Sequence, residues 1–210
     1  MRQAGSALLG VVATIAALAA CSADAQDAGP ASATPTAGVV DVAAPGLAAL
    51  RERAGIDPCP ATDPSASPRD DGLPSLTLPC LGGGRDVDLA HLRGDPLVVN
   101  LWAGWCGPCR KELPLFQQLH ERTADRVRVI GIDFADDDPA AALGLAAASG
   151  VTYALLADPQ AQLRAPLRVR GLPVTLFVAA DGHVAYTKVG PISSYDELID
   201  LVREHLGVSA

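Results

Sequence analysis

The segment Pro96-Leu97-Val98-Val99-Asn100-Leu101 carries no charge, and it runs directly into Trp105-Cys106-Gly107-Pro108-Cys109. From Cys109 to Arg122 the apolar residues Leu113, Phe116 and Leu119 recur at helical spacing. A short apolar run bounded by turn residues reads as a strand buried on both faces, and the following pattern reads as an amphipathic helix. The succession strand, Cys-x-x-Cys, helix fixes where the cysteines lie: at the end of a buried strand, on the first turn of a helix. Pro114 falls inside the helical pattern and predicts a kink there.

The alternation continues downstream. Val127 to Asp133 reads as a strand, Asp138-Pro139 as a helix start with Gly150 as its stop, and Tyr153 to Ala157 as another strand. Asp158-Pro159 predicts a further short helix. Val174 to Val178 and His183 to Val189 are strands joined at Asp181-Gly182, a hairpin signal. Ser194 and Glu197 form a capping box, so a last helix runs to about Leu206 and stops at Gly207. Upstream, Gly46 to Gly55 reads as a short helix and Ile56 to Gly72 as irregular. Leu76 and Leu78, then Gly82-Gly83-Gly84, then Val87 and Leu89 predict a β-hairpin. The expected fold is an α/β sandwich, a mixed central sheet flanked by helices with an N-terminal β-hairpin extension. Its expected body spans 73–210, preceded by an extension over 46–72.

The N-terminus points to export. Met1-Arg2 is followed by a small, apolar stretch from Ser6 to Ala20, which reads as a signal peptide over 1–20. Leu18-Ala19-Ala20-Cys21 resembles the bacterial lipobox, so Cys21 is the expected lipid attachment point, anchoring the chain to a membrane with its body outside the cytoplasm. The rival, an uncleaved anchor helix, is short of the roughly 20 apolar residues that a bilayer requires. Residues 21–45 lack large apolar side chains and predict a flexible tether. With 49% hydrophobic residues in 210, the chain can bury one ordinary core. The formal charge of −8, with Lys and Arg scattered, excludes a nucleic-acid partner.

A Cys-x-x-Cys pair admits redox, zinc, haem-attachment and structural readings. Zinc requires two further ligands at matching spacing, and the sequence offers no second Cys-x-x-Cys or paired His; haem attachment requires His after the second cysteine, where Arg110 stands. At a helix N-terminus the backbone N–H groups favour the Cys106 thiolate. Lowering a thiol pKa from roughly 8.5 to about 7 raises the thiolate fraction some 15-fold, but the accompanying loss of nucleophilicity leaves a net gain of about 3-fold. Cys106 is therefore the expected nucleophile and Cys109, one turn on, the resolving thiol, with Gly107 and Pro108 keeping the turn tight. The redox centre is the cysteine pair itself, with no cofactor and no metal.

The stretch Val98 to Pro114 resembles the TlpA/ResA branch of the thioredoxin superfamily, and the similarity extends from about Leu73 to Leu206. Gly171-Leu172-Pro173-Val174-Thr175 is a second signal. The resemblance implies that Pro173 is cis and lies against the cysteines, and that the backbone of Leu172 pairs with a bound peptide like an added strand; read alone, Pro173 is an ordinary trans turn proline. It also implies that Trp105 flanks the nucleophile, so that Trp105, Gly107, Pro108, Leu172 and Pro173 meet the client. Asn100 stands where thioredoxin has a proton-handling Asp. Glu112 matches a branch-specific Glu that influences cysteine ionisation; its alternative is a solvated helix carboxylate. Trp102 reads equally as core.

Cys59 and Cys80 predict a structural disulfide, worth about 3 kcal/mol for a loop of this length; a second catalytic pair is the rival. His91, His120, His183 and His205 show no metal spacing and are expected to face solvent. By resemblance the activity is disulfide reduction in client proteins, apocytochrome c among them, with recycling by a membrane thiol reductant. The alternatives are a disulfide-introducing oxidase or isomerase, a copper-handling metallochaperone and a peroxidase. The last usually has a Thr just upstream of its cysteine, where Gly104 and Trp105 stand.

Overall fold

The computed structural model describes residues 39–123 and 126–208, and Val39–Ala210 forms one compact unit. The signal peptide, Cys21 and most of the expected tether lie outside the described residues. In chain order the elements are α1 (Pro45–Ala54), β1 (Thr77–Leu78), β2 (Val87–Asp88), β3 (Leu97–Trp102), α2 (Gly107–Thr123), β4 (Arg128–Phe134), α3 (Pro139–Ala148), β5 (Ala154–Asp158), β6 (Val174–Val178), β7 (Val184–Val189) and α4 (Tyr195–Leu206). The main sheet has the order β5-β4-β3-β6-β7. β3, β4 and β5 run parallel, while β6 and β7 are antiparallel to their neighbours. The mixed sheet thus joins two crossover units to one hairpin.

Strand alternation divides the core. Val98 and Trp102 of β3, Val129 of β4, Leu155 of β5 and Phe177 of β6 pack with Leu47, Leu113, Phe116, Ala146 and Val202 from all four long helices. Val99 and Leu101, with Ile130, Ile132, Leu156 and Leu176, face the other way, onto Leu73, Leu78, Val87, Leu89, Leu163 and Val169. The helices therefore share one face, and the other is covered by the N-terminal segment and the turns after β5. This refines the expectation of a sheet flanked by helices.

The extension over 46–72 packs onto the body: Leu47 and Ile56, with Val42 before them, belong to the helix-side core, and Cys59 to the other. One expectation needs correcting. The expected helix after Asp158-Pro159 is a series of turns instead, closed by Ala161 N–H to Asp158 O, Arg164 N–H to Ala161 O and Arg168 N–H to Ala165 O. Ala161 and Arg168 lie in the left-handed region, which a right-handed helix cannot include.

The expected N-terminal hairpin forms as the short pair β1–β2, with Gly82, Gly83 and Gly84 at positive φ in its connection. Before those glycines the chain adds itself to the sheet, with Leu81 N–H to Leu155 O at 2.9 Å and Ala157 N–H to Pro79 O at 3.0 Å. These bonds cover the edge of β5, which would otherwise template pairing with another chain. Cys59 and Cys80 are joined by a disulfide that ties the irregular segment to this edge. Among the described residues no helix is long and apolar enough to cross a membrane.

Candidate active site

β3 delivers its last residue, Trp102, to the end of the sheet, and the chain reaches α2 through Ala103, Gly104, Trp105 and Cys106. Cys106 and Cys109 are disulfide-bonded, with Cα atoms 5.3 Å apart. The backbone N–H of Cys109 donates to Cys106 Sγ at 3.3 Å, so the first turn of α2 aims a donor at the first sulfur. The two residues differ in access: Cys106 keeps 4% exposure and Cys109 none. An incoming group can reach the first and not the second, the asymmetry that an attacking and a resolving thiol require.

Trp105 is 60% exposed beside this pair, its indole N–H donating to Ala135 O at 3.1 Å. Trp102 is fully buried core. The Leu172–Pro173 peptide is cis, and the pairing of Leu101 with Val174 brings Pro173 to the sheet end from which the Cys106 loop emerges. Neither the N–H nor the C=O of Leu172 has a hydrogen-bond partner among the described residues. On the other flank Gly107, Pro108, Lys111, Pro191, Ile192 and Ser193 line a groove of about 610 Å³.

Glu112 is fully buried, so the alternative of a solvated helix carboxylate does not hold. Asn100 Nδ2 donates to its Oε1 at 2.9 Å, and the Ile192 N–H to its Oε2 at 3.1 Å. Burial pushes its pKa up to about 7 against those two hydrogen bonds, with the Glu197 charge adding a smaller push. A carboxyl poised there exchanges protons near neutrality, and it stands one helical turn beyond Cys109. Burial also raises the Tyr153 hydroxyl, with the Glu112 charge contributing.

Asn100, which the resemblance placed where thioredoxin has a proton-handling Asp, is the side-chain partner of Glu112. Other participants escaped the sequence reading: Ile192, reached from 80 residues away, gave no signal. Neither did the buried carboxylates Asp133 and Asp136 behind Gly104. The histidines are less exposed than expected: His120 packs edge-on to Tyr153, and His205 stacks on Tyr186 at 4.1 Å. Among the described residues no group of three His, Cys, Asp or Glu is placed to hold a metal ion.

Comparison with known proteins supplies the context for this geometry. Residues 68–199 match the profile of the Redoxin family. Over 127 residues, 60% of this chain and 68% of the relative, the sequence is 36% identical to the thiol:disulfide interchange protein DsbE of Pseudomonas fluorescens biotype C. Over 136 residues, 62% of this chain and 75% of the relative, it is 33% identical to the thiol:disulfide interchange protein HelX of Rhodobacter capsulatus. Among solved structures it resembles a secreted Mycobacterium tuberculosis disulfide oxidoreductase homologous to E. coli DsbE, at a TM-score of 0.56 and 27% identity, covering 62% of this chain and 96% of that one.

Proposed function

The chain belongs to the Redoxin family and is a thiol–disulfide oxidoreductase of thioredoxin-like fold, and on that premise we propose that it reduces disulfides in client proteins outside the cytoplasm. In the reduced enzyme the Cys106 thiolate attacks one sulfur of a client disulfide, and the other client sulfur leaves as a thiolate that takes up a proton. The mixed disulfide is then broken by Cys109: its thiolate attacks Cys106 Sγ, the second client thiol departs, and the electron pair has passed from enzyme to client. Glu112 accepts the Cys109 proton. The cysteine pair carries the electrons, without a bound cofactor, and a membrane thiol reductant restores the dithiol.

The observation that carries this reading is the pair itself: a slightly accessible Cys106 and an inaccessible Cys109 on one helix turn, with a buried carboxyl poised near neutrality one turn on. The unpaired backbone of Leu172 supports client docking as an added strand beside Trp105 and Pro108. Resemblance to the TlpA/ResA branch favours apocytochrome c among the clients. The signal-like residues 1–20, the lipobox-like Cys21 and a disulfide at Cys59–Cys80 of the kind that persists in oxidising compartments support an exported, lipid-anchored protein. The same chemistry run in reverse, as a disulfide-introducing oxidase, is the second reading.

The equilibrium potential of the Cys106–Cys109 pair separates the two. A value near thioredoxin's roughly −270 mV supports the reductant, and one near −120 mV replaces it with the oxidase.

A further inference from the structure

Behind the cysteine loop lies a second pair of acids that the exchange chemistry above does not use. Asp133 stands near the end of β4 opposite Trp102, 2% exposed, and Asp136 follows in the loop to α3, 6% exposed. Asp133 Oδ1 is buried with no hydrogen-bond partner among the described residues, whereas both oxygens of Asp136 are engaged: Oδ2 accepts the Gly104 N–H at 2.6 Å and Oδ1 the Asp138 N–H at 3.1 Å.

The grip continues on the other side of the same residue. Arg110 donates to the Gly104 carbonyl from Nη2 at 2.8 Å and from Nε at 3.2 Å, and the Trp105 indole is tied to Ala135 O. Ala135 itself has φ 55°, a left-handed conformation that a residue with a Cβ rarely adopts. Gly104 leaves room for the contact, since a Cβ there would lie 3.0 Å from Asp136 Oδ2. Both sides of Gly104 and the ring of Trp105 are thus held in the two residues before Cys106.

We propose that Asp136, backed by the buried Asp133, is a positioning residue for the exchange step, holding Gly104, with Trp105 tied to the neighbouring Ala135, so that the Cys106 sulfur is presented for attack. The proposal rests on Cys106 being the attacking thiol. Asp133, held neutral, adds no negative charge opposite the Cys106 thiolate. Burial first, then the Asp136 charge and hydrogen bond and the Asp138 charge, hold the Asp133 proton up to about 9. The other charged groups at this loop are Asp137, next in the chain, and Arg110, on Gly104; the strand neighbours Trp102 and Ala157, and Ala142 of α3, bring none.

The test uses the full chain and two readouts that need no client. In the reduced protein, alkylation of Cys106 by iodoacetamide at neutral pH is timed by mass spectrometry of its peptide. Asp136→Ala is expected to slow it about 10-fold and Asp136→Asn, which retains an acceptor for Gly104, to recover most of the loss. In the oxidised protein, where neither cysteine of the pair titrates, tryptophan emission is followed as pH rises: the parent shows a step near 9, and Asp133→Asn abolishes it. Alkylation of Asp136→Ala at the parental rate, an equal loss in Asp136→Asn, or a step that survives in Asp133→Asn overturns the proposal. Should Asp136→Ala not fold, Asp136→Asn must stay near the parental alkylation rate and Asp133→Asn must lose the step. A parent that alkylates as expected but reduces no protein disulfide sinks the proposed function and leaves this inference standing.

Discussion

Glu112 shows how one residue couples folding to chemistry. Its carboxyl is held near 7 in the folded chain against an ordinary value of 4.5, because burial penalises the charged form more than Asn100 and Ile192 favour it. The folded state therefore binds this proton more tightly than the unfolded state. The associated stability is complete below about 4.5 and is lost as pH climbs to about 7, at up to roughly 1.4 kcal/mol per pH unit and about 3 kcal/mol in all. Glu112→Gln, which cannot charge, should remove this slope, so that urea unfolding finds the variant more stable than the parent at pH about 8 and closer to it at pH about 5. The same change should slow release of the mixed disulfide roughly 10-fold at neutral pH, less than the usual general acid–base effect because a thiol with an ordinary value of roughly 8.5 already ionises in part unaided. A variant with the parent's pH slope would mean that Glu112 does not ionise in this range. The family resemblance made Glu112 a candidate, but its burial depends on Asn100 in β3 and Ile192 after β7, contacts made across the fold that no local pattern encodes.

At the scale of elements, two identical signals had different outcomes. Asp138-Pro139 opens α3, with Asp138 accepting the Ala141 N–H, and Ala140 to Leu143 supply helix formers behind it. Asp158-Pro159 also caps its segment, accepting the N–H groups of Gln162 and Leu163, but Pro166 closes the run and Ala161 turns left-handed, so turns result. Strand and helix around Cys106 were legible because period and punctuation agreed; the turns were not, because a cap is only permissive. The Cys59–Cys80 disulfide fastens another element that local pattern left irregular, its ends 21 positions apart in sequence and Cys80 bridged to Leu156 of β5. Replacing both cysteines by Ala should destabilise the oxidised protein by about 2–4 kcal/mol in urea. The potential of the Cys106–Cys109 pair should not move, since the two disulfides occupy different faces of the sheet. A shifted potential would show that the staple also shapes the exchange site.

On the scale of the whole molecule, the N-terminal segment is structural capital of the sheet rather than a leader to it. α1 sets Leu47 into the helix-side core with Val42 before it and Ile56 after it, and the same segment then crosses to the opposite face through Cys59. Arg51 donates from Nη1 to the Gly83 carbonyl, which links α1 to the glycine turn between β1 and β2. A chain beginning at Leu73 loses these three apolar side chains and the disulfide, on the order of 8 kcal/mol of gross contribution, against a total stability of roughly 5–15 kcal/mol for a domain. Such a chain is expected to lose its cooperative unfolding transition or to show it at a midpoint many degrees lower than a chain beginning at Val39. Circular dichroism of the two chains on heating compares them directly. Equal midpoints would make residues 39–72 an appendage that packs without stabilising. A collapsed midpoint for the shorter chain would mean that the exchange site, though built wholly from residues after Leu73, exists only because the segment before it closes both faces of the sheet that carries Cys106.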